Sequence, residues 1–326
     1  MRNPLLLSVA LLSGCVNIDA PVNPDDVTEF VFEVPKGASA SRMGPKLAEE
    51  GLVASEFAWK MGLRGELDGS CLKAGRFNVR RSMSMRELMQ TMCGAPIAND
   101  VPFTVLEGWR ILDIDAALVK KGWIKPGAYA AVANTKGVEL PFTIEQESLE
   151  GYLFPETYMV SPPPGFTPEQ LIGRQLNTFK SRFLDQYGDE AAKTRGIEEV
   201  VIMASLLERE EPRPANRRVV AGILWKRLDN GWQLGVDATS HYKLPEWNDR
   251  KGLLKALKDE SDPYNTRIHK GLPPTAIGSP SLPSLIGAMN PEASPYWFYL
   301  HDKNQGFHGG KNAAEHDRNR KRYNVY

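Results

Sequence analysis

Two stretches of this chain lie over one another without a gap. When "FEVPKGASASRMGPKLAEEGLV", from Phe32, is set over "FTVLEGWRILDIDAALVKKGWI", from Phe103, Phe32 meets Phe103, Val34 meets Val105 and Gly37 meets Gly108. Further on, Met43 meets Ile114, Leu47 meets Leu118 and Gly51 meets Gly122. Spacing matched over that length marks a repeated supersecondary unit. Each copy alternates apolar and polar residues into a glycine turn, then carries apolar residues at helical spacing up to a second glycine. Strand, turn and helix with a glycine C-cap are therefore predicted twice. Between the copies the pattern predicts a helix near residues 55–63, a returning strand holding Gly75, Phe77 and Val79, and a helix over residues 84–92. Residues 28–100 thus form a small α+β module, of a size that suits binding or positioning.

Residues 101–326 read as one larger domain, strand-containing to about residue 160. The segment "SPPPGFTPEQ", with four prolines in residues 161–170, breaks the chain before a mostly helical part. Helices are expected from near Pro168, from near Ile197, and over "NRRVVAGILWKRLDNG", where Val220, Ile223, Leu224 and Leu228 share a face and Asn230 and Gly231 end it. Beyond lies the loop-rich "DPYNTRIHKGLPPTAIGSPS"; long loops within a compact domain often line a site.

One helix raises a chemical question. "VIMASLLERE", residues 201–210, is apolar all round, as a helix covered on every side must be, yet Glu208 stands in line with Val201, Ala204 and Ser205. Pro212 and Pro214 place it in the last turn. A helix C-terminus and apolar surroundings both favour the neutral acid, the form a general acid needs. The alternative is an ion pair with Arg213, Arg217 or Arg218. Glu210 lies off that face. Upstream, "SLEGYLFPETY" gathers Tyr152, Phe154 and Tyr158 around Pro155, just after Glu150. Such rings are covered either by protein core or by a stacked sugar.

The 40 basic and 40 acidic residues balance, so no net field draws nucleic acid, and no nucleic-acid partner is expected. At 326 residues, 42% hydrophobic and 25% charged, the chain is long and apolar enough for ordinary globular packing. At the N-terminus, Arg2 precedes a short apolar run and "LSGC", which resembles a lipobox; the run is too short to span a bilayer. Residues 1–27 therefore read as a signal segment and tether, with Cys15 the lipidation site. Export permits a disulfide between Cys71 and Cys93, two buried thiols being the alternative. All five histidines lie in the C-terminal half without an i, i+4 pair, and "HEXXH" is absent, so neither a metal nor a cofactor is expected.

"LEGYLFPETY", "ASLLERE", "QLGVDATSHY", "PYNTRIHKGLPPTAIGSPS" and "HGGKNAAEHDRN" occur in this order. Together they resemble the endolytic murein transglycosylases of the YceG-like, or MltG, family. The resemblance implies an α+β fold: a LysM-like module at residues 28–100, then the catalytic domain. It implies a bacterial envelope enzyme that cuts MurNAc-β-1,4-GlcNAc bonds within nascent peptidoglycan, leaves 1,6-anhydroMurNAc ends and terminates strand growth, with peptidoglycan synthases as partners and a membrane anchor. By position the catalytic acid is Glu208. Substrate contacts are implied for Glu150, Tyr152, Phe154, Glu210, Asp237, Asn265, Thr266, His308, Glu315 and His316. The chain departs from the family in its short N-terminal run and in the Gly309–Gly310–Lys311 that follows His308. A muramidase-type hydrolase, with Glu150 or Asp237 as second carboxylate, and a noncatalytic glycan-binding envelope protein are the alternatives.

Overall fold

The computed structural model describes residues 17–97 and 100–325, in two compact units, one up to residue 99 and one from Asp100. In the first, β1 (Phe30–Val34) leads through a turn to α1 (Gly44–Glu49) and α2 (Glu56–Gly65), and the chain returns along β2 (Gly75–Val79) into α3 (Met85–Cys93). The two strands are antiparallel, with Phe32 opposite Phe77. Their inward residues, Phe32, Val34, Phe77 and Val79, are buried with Leu47, Trp59, Leu88 and Met92. Helix α3 starts where the sequence says it should: Glu87 N–H donates to Ser84 Oγ at 3.2 Å, and Ser84 N–H to Glu87 Oε2 at 2.8 Å. A Cys71–Cys93 disulfide ties the loop before β2 to the end of α3.

The expected tether is only partly one. Residues 1–16, with the lipobox-like run and Cys15, lie outside the described residues. Residues 17–26 instead pack on the first unit, because Ile18 is buried in its core, Asp19 pairs with Arg86 at 2.7 Å and Asp26 with Arg81 at 3.1 Å.

The second unit opens with the second repeat copy: β3 (Val101–Thr104), a turn, and α4 (Ile111–Lys120), followed by α5 (Ala128–Asn134). In both copies the turn glycine is left-handed, at φ +79° for Gly37 and +73° for Gly108, and the apolar residues matched by the overlay are buried. Strand β4 (Thr157–Val160) pairs antiparallel with β3, Phe103 opposite Tyr158. After the proline-rich break come α6 (Pro168–Phe179), α7 (Asp185–Thr194), α8 (Ile197–Glu210), α9 (Arg217–Asp229), α10 (Asp237–His241), α11 (Arg250–Ala256) and α12 (Leu282–Met289). Helix α8 runs through the core, buried from Val200 to Leu207, and packs chiefly along α12.

This part is mostly helical, with one pair of strands besides. A hairpin, β5 (Phe298–His301) and β6 (Phe307–Gly310), precedes the last helix, α13 (Ala313–Tyr323). Its strands read FYLH and FHGG, three consecutive apolar residues in one and two glycines in the other, so neither shows period-two alternation.

Candidate active site

Three residues apart, Ser205 and Glu208 share a side of α8. Ser205 Oγ donates to Ile202 O at 2.7 Å and accepts from Ile277 N–H at 3.0 Å. One turn on, Glu208 Oε2 accepts from Ser281 N–H at 2.9 Å and from Ser281 Oγ at 2.5 Å. These two side chains dock the segment 277–281 along the helix. The opposite edge of that segment meets the turn between β3 and α4: Gly108 N–H donates to Ser279 O at 2.8 Å, and Ser279 N–H to Trp109 O at 2.7 Å. A Cβ on Gly108 would sit 3.3 Å from Arg209 Cδ and 3.6 Å from Glu208 Cγ. The repeat thus delivers its second turn onto Glu208.

Arg217, the first residue of α9 and buried, completes the arrangement. It donates from Nη2 to Glu208 Oε1 at 2.9 Å, from Nη1 to Glu208 Oε2 at 3.3 Å and to Ser281 Oγ at 2.8 Å, and from Nε to Glu211 O at 3.2 Å. With its side chain 6% exposed, Glu208 is not the unpartnered carboxyl that its apolar helix face suggests, and the ion pair with one of three nearby arginines is present. The apolar stripe reports the neighbours along α8; the polar ones arrive from α9 and from a loop 73 residues on.

In front of Ser281 lies an open groove of about 320 Å³, whose walls include Glu107, Phe154, Pro155, Glu156, Arg182 and Ser281. Glu107 makes no hydrogen bond or ion pair with any described residue. Partial burial, and after it the charge of Glu208, push its carboxyl above the ordinary glutamate range, with Arg217 acting the other way.

The remaining predicted residues serve other ends. Glu150, 1% exposed, accepts from Ile111 N–H at the start of α4 and from the Tyr242 hydroxyl, both at 3.1 Å, and burial pushes its carboxyl up to about 8. Its expected place in a cleft is therefore corrected to one in the core. Tyr152 lies edge-on to Phe179 at 5.3 Å, so protein and not sugar covers it; Phe154 is also buried, though it lines the groove. Asn265 and Thr266 are buried too: Asn265 Nδ2 donates to the carbonyls of Ala256 and Asp259, and Thr266 Oγ1 to that of Val236. They shape the loop before the 277–281 segment and offer no free groups to a sugar.

The side chain of Asp237 is 41% exposed but held by Nε and Nη2 of Arg267, at 2.5 and 2.9 Å. Glu210 accepts from the Tyr299 hydroxyl at 2.9 Å, and burial raises its pKa. His308 pairs with Asp302 at 2.8 Å, which holds that carboxyl down at about 2, and stacks on Tyr323. Glu315 caps the start of α13 through Lys311 N–H, and His316 stacks on Phe298, its pKa lowered by burial. Of the predicted contacts only Phe154 lines the groove. Sequence reasoning missed Glu107 and Ser281 and treated Arg217 only as a rival explanation. For Glu107 a signal was present: the overlay of the copies sets it against Lys36, an opposite charge at the same turn position. No group of three or more His, Cys, Asp or Glu among the described residues is placed to hold a metal.

The sequence model described as the YceG-like family matches residues 32–322. The chain is 27% identical to an endolytic murein transglycosylase of Bacillus subtilis, over 98% of this chain and 91% of that protein. It is 23% identical to one of Streptococcus pneumoniae over 92% of its own length, and spans 59% of that longer protein. Among solved structures, a YceG-like protein from Listeria monocytogenes matches with a TM-score of 0.56 at 24% identity, covering 89% of this chain and 99% of that one. That structural likeness concerns the fold.

Proposed function

Since the chain belongs to the YceG-like family, we propose that it is a peptidoglycan lytic transglycosylase that cuts glycan strands internally, with Glu208 as its acid and base. In the reaction proposed, a protonated Glu208 gives its proton to the oxygen leaving the MurNAc anomeric carbon, and the C1–O4 bond breaks. The C6 hydroxyl of the same MurNAc attacks C1 and returns its proton to Glu208, closing the 1,6-anhydro ring. Water takes no part, so one proton-transferring carboxyl suffices.

The observation that carries this reading is that Glu208 accepts from Ser281, a residue of the groove wall, whose Oγ bridges it to Arg217. A protonated Oε2 can donate to that same Ser281 oxygen, so the contact survives either protonation state. The two residues a hydrolase was expected to use are engaged elsewhere, Glu150 in the core and Asp237 on Arg267. The first unit, on this reading, is the LysM-like module that holds the strand. An acylated Cys15 anchors the enzyme in the cell envelope with its catalytic domain outside the cytoplasm, beside the synthases whose strands it ends. Among the described residues no helix is long and apolar enough to cross a membrane, and the N-terminal mass of envelope-purified protein tests the lipid anchor.

Glu208→Gln keeps the size of the side chain and loses the proton transfer. Turnover of purified peptidoglycan is expected to fall about a hundredfold or more, with binding retained. Mass spectrometry of wild-type digests is expected to show 1,6-anhydroMurNAc at the new ends; reducing MurNAc ends would show hydrolysis, and wild-type rates from Glu208→Gln would remove Glu208 as the acid.

A further inference from the structure

We propose that Glu107 is a second catalytic carboxylate of this groove: ionised, it contacts the sugar and stabilises the positive charge that grows at the anomeric carbon while Glu208 moves the proton. The inference rests on the lytic reading above and adds a residue to its chemistry. Glu208 cannot do both tasks well. Its charge is balanced by Arg217, and its oxygens already accept from that guanidinium and from Ser281. Such a carboxylate has little field left for a cation forming in front of Ser281. Glu107 lines the groove together with Ser281 and has no counter-ion of its own among the described residues.

The turn that carries Glu107 is held in place by the paired Gly108–Ser279 and Ser279–Trp109 hydrogen bonds, so its position relative to Glu208 costs little to keep. The charged groups around it are Glu208 and Arg209 from α8, Arg217 from α9, and Glu156 and Arg182 in the groove wall. Partial burial and the nearby Glu208 make the ionised form of Glu107 costly in the empty site. A positive transition state relieves that cost where a neutral ground state does not, and such a difference lowers the barrier. The first repeat copy has the same turn with Lys36 in place of Glu107, so the geometry of the turn does not itself require a carboxylate.

The test compares the full-length wild type with Glu107→Gln, Glu107→Asp and Glu208→Gln on purified peptidoglycan, by initial rate, product ends and thermal melting. Glu107→Gln is expected to melt with the wild type and lose about 10- to 100-fold in kcat, KM changing less than about twofold. The few ends it makes should still be 1,6-anhydroMurNAc. The wild-type rate should fall on the acidic side as Glu107 takes up a proton; that limb should be missing in Glu107→Gln and present, at intermediate rate, in Glu107→Asp. Wild-type kcat and pH profile in Glu107→Gln, or a loss confined to KM, would overturn the proposal while leaving an inactive Glu208→Gln and the lytic reading intact. Reducing ends from the wild type, lost in Glu107→Gln, would make Glu107 a base for water and overturn both.

Discussion

Glu150 offers the sharpest test of the packing described here. Its carboxyl lies in the core at about 8 against an ordinary 4.5, the shift coming first from burial and being opposed by hydrogen bonds from Ile111 and Tyr242. Below pH 4.5 the folded and unfolded chains both hold the proton; between the two values only the folded chain does. The raised value therefore contributes stability that is complete below pH 4.5 and is lost as pH rises through 8. At 1.36 kcal/mol per unit, the loss between pH 5 and pH 8 is about 3 to 4 kcal/mol. Glu150→Gln keeps an oxygen for Ile111 N–H and the Tyr242 hydroxyl but cannot ionise. The stability of the wild type minus that of Glu150→Gln should fall by that amount over this range, because other titrating groups cancel in the difference. For a unit of this size the gap corresponds to a shift on the order of 10 °C between the two midpoints, measured for the larger unit's transition by calorimetry at pH 5, 6, 7 and 8. Parallel curves for the two proteins would mean that Glu150 ionises in the fold as it does in water, and the burial argument would be wrong.

Arg217→Ala should destabilise the second unit by about 3 to 5 kcal/mol, since it leaves Glu208 buried without its counter-ion; adding Glu208→Gln should recover part of that loss in denaturant titrations, and strict additivity would refute the pairing. Gly151 has φ +92°, and a Cβ there would come within 2.5 Å of Ala276 Cβ and 2.7 Å of Val201 Cγ1, so Gly151→Ala should cost about 2 to 5 kcal/mol and lower the same transition. Replacing Cys71 and Cys93 by serine should take about 2 to 4 kcal/mol from the first unit and leave the second unit's transition in place, a selectivity that calorimetry can check.

Much of the architecture was legible because it is local. Strand, glycine turn and helix recur in both copies where the overlay places them, and α3 falls where residues 84–92 were expected to be helical. The burial of α8 from Val200 to Leu207 follows from its composition, since a stretch without a charged residue on any face has no stable place but a core. Cys71 and Cys93 were nominated by number and by the compartment their chain is expected to enter.

What the tertiary structure decided is what each carboxylate meets. Glu150, Glu208 and Glu107 are the same side chain in sequence. One is wrapped by the start of α4 and by Tyr242, 92 residues away; one is clamped by Arg217 and by Ser281, 73 residues away; one is left facing a groove. Periodicity reports which face of an element is turned inward, because that depends on residues three or four positions apart. It carries nothing about which distant donor arrives on that face. The charge and hydrogen bonding of a buried carboxyl depend on that donor and its distance, so the division of this site among Glu208, Glu107, Arg217 and Ser281 exists only once the 277–281 segment and the second repeat turn have closed on α8.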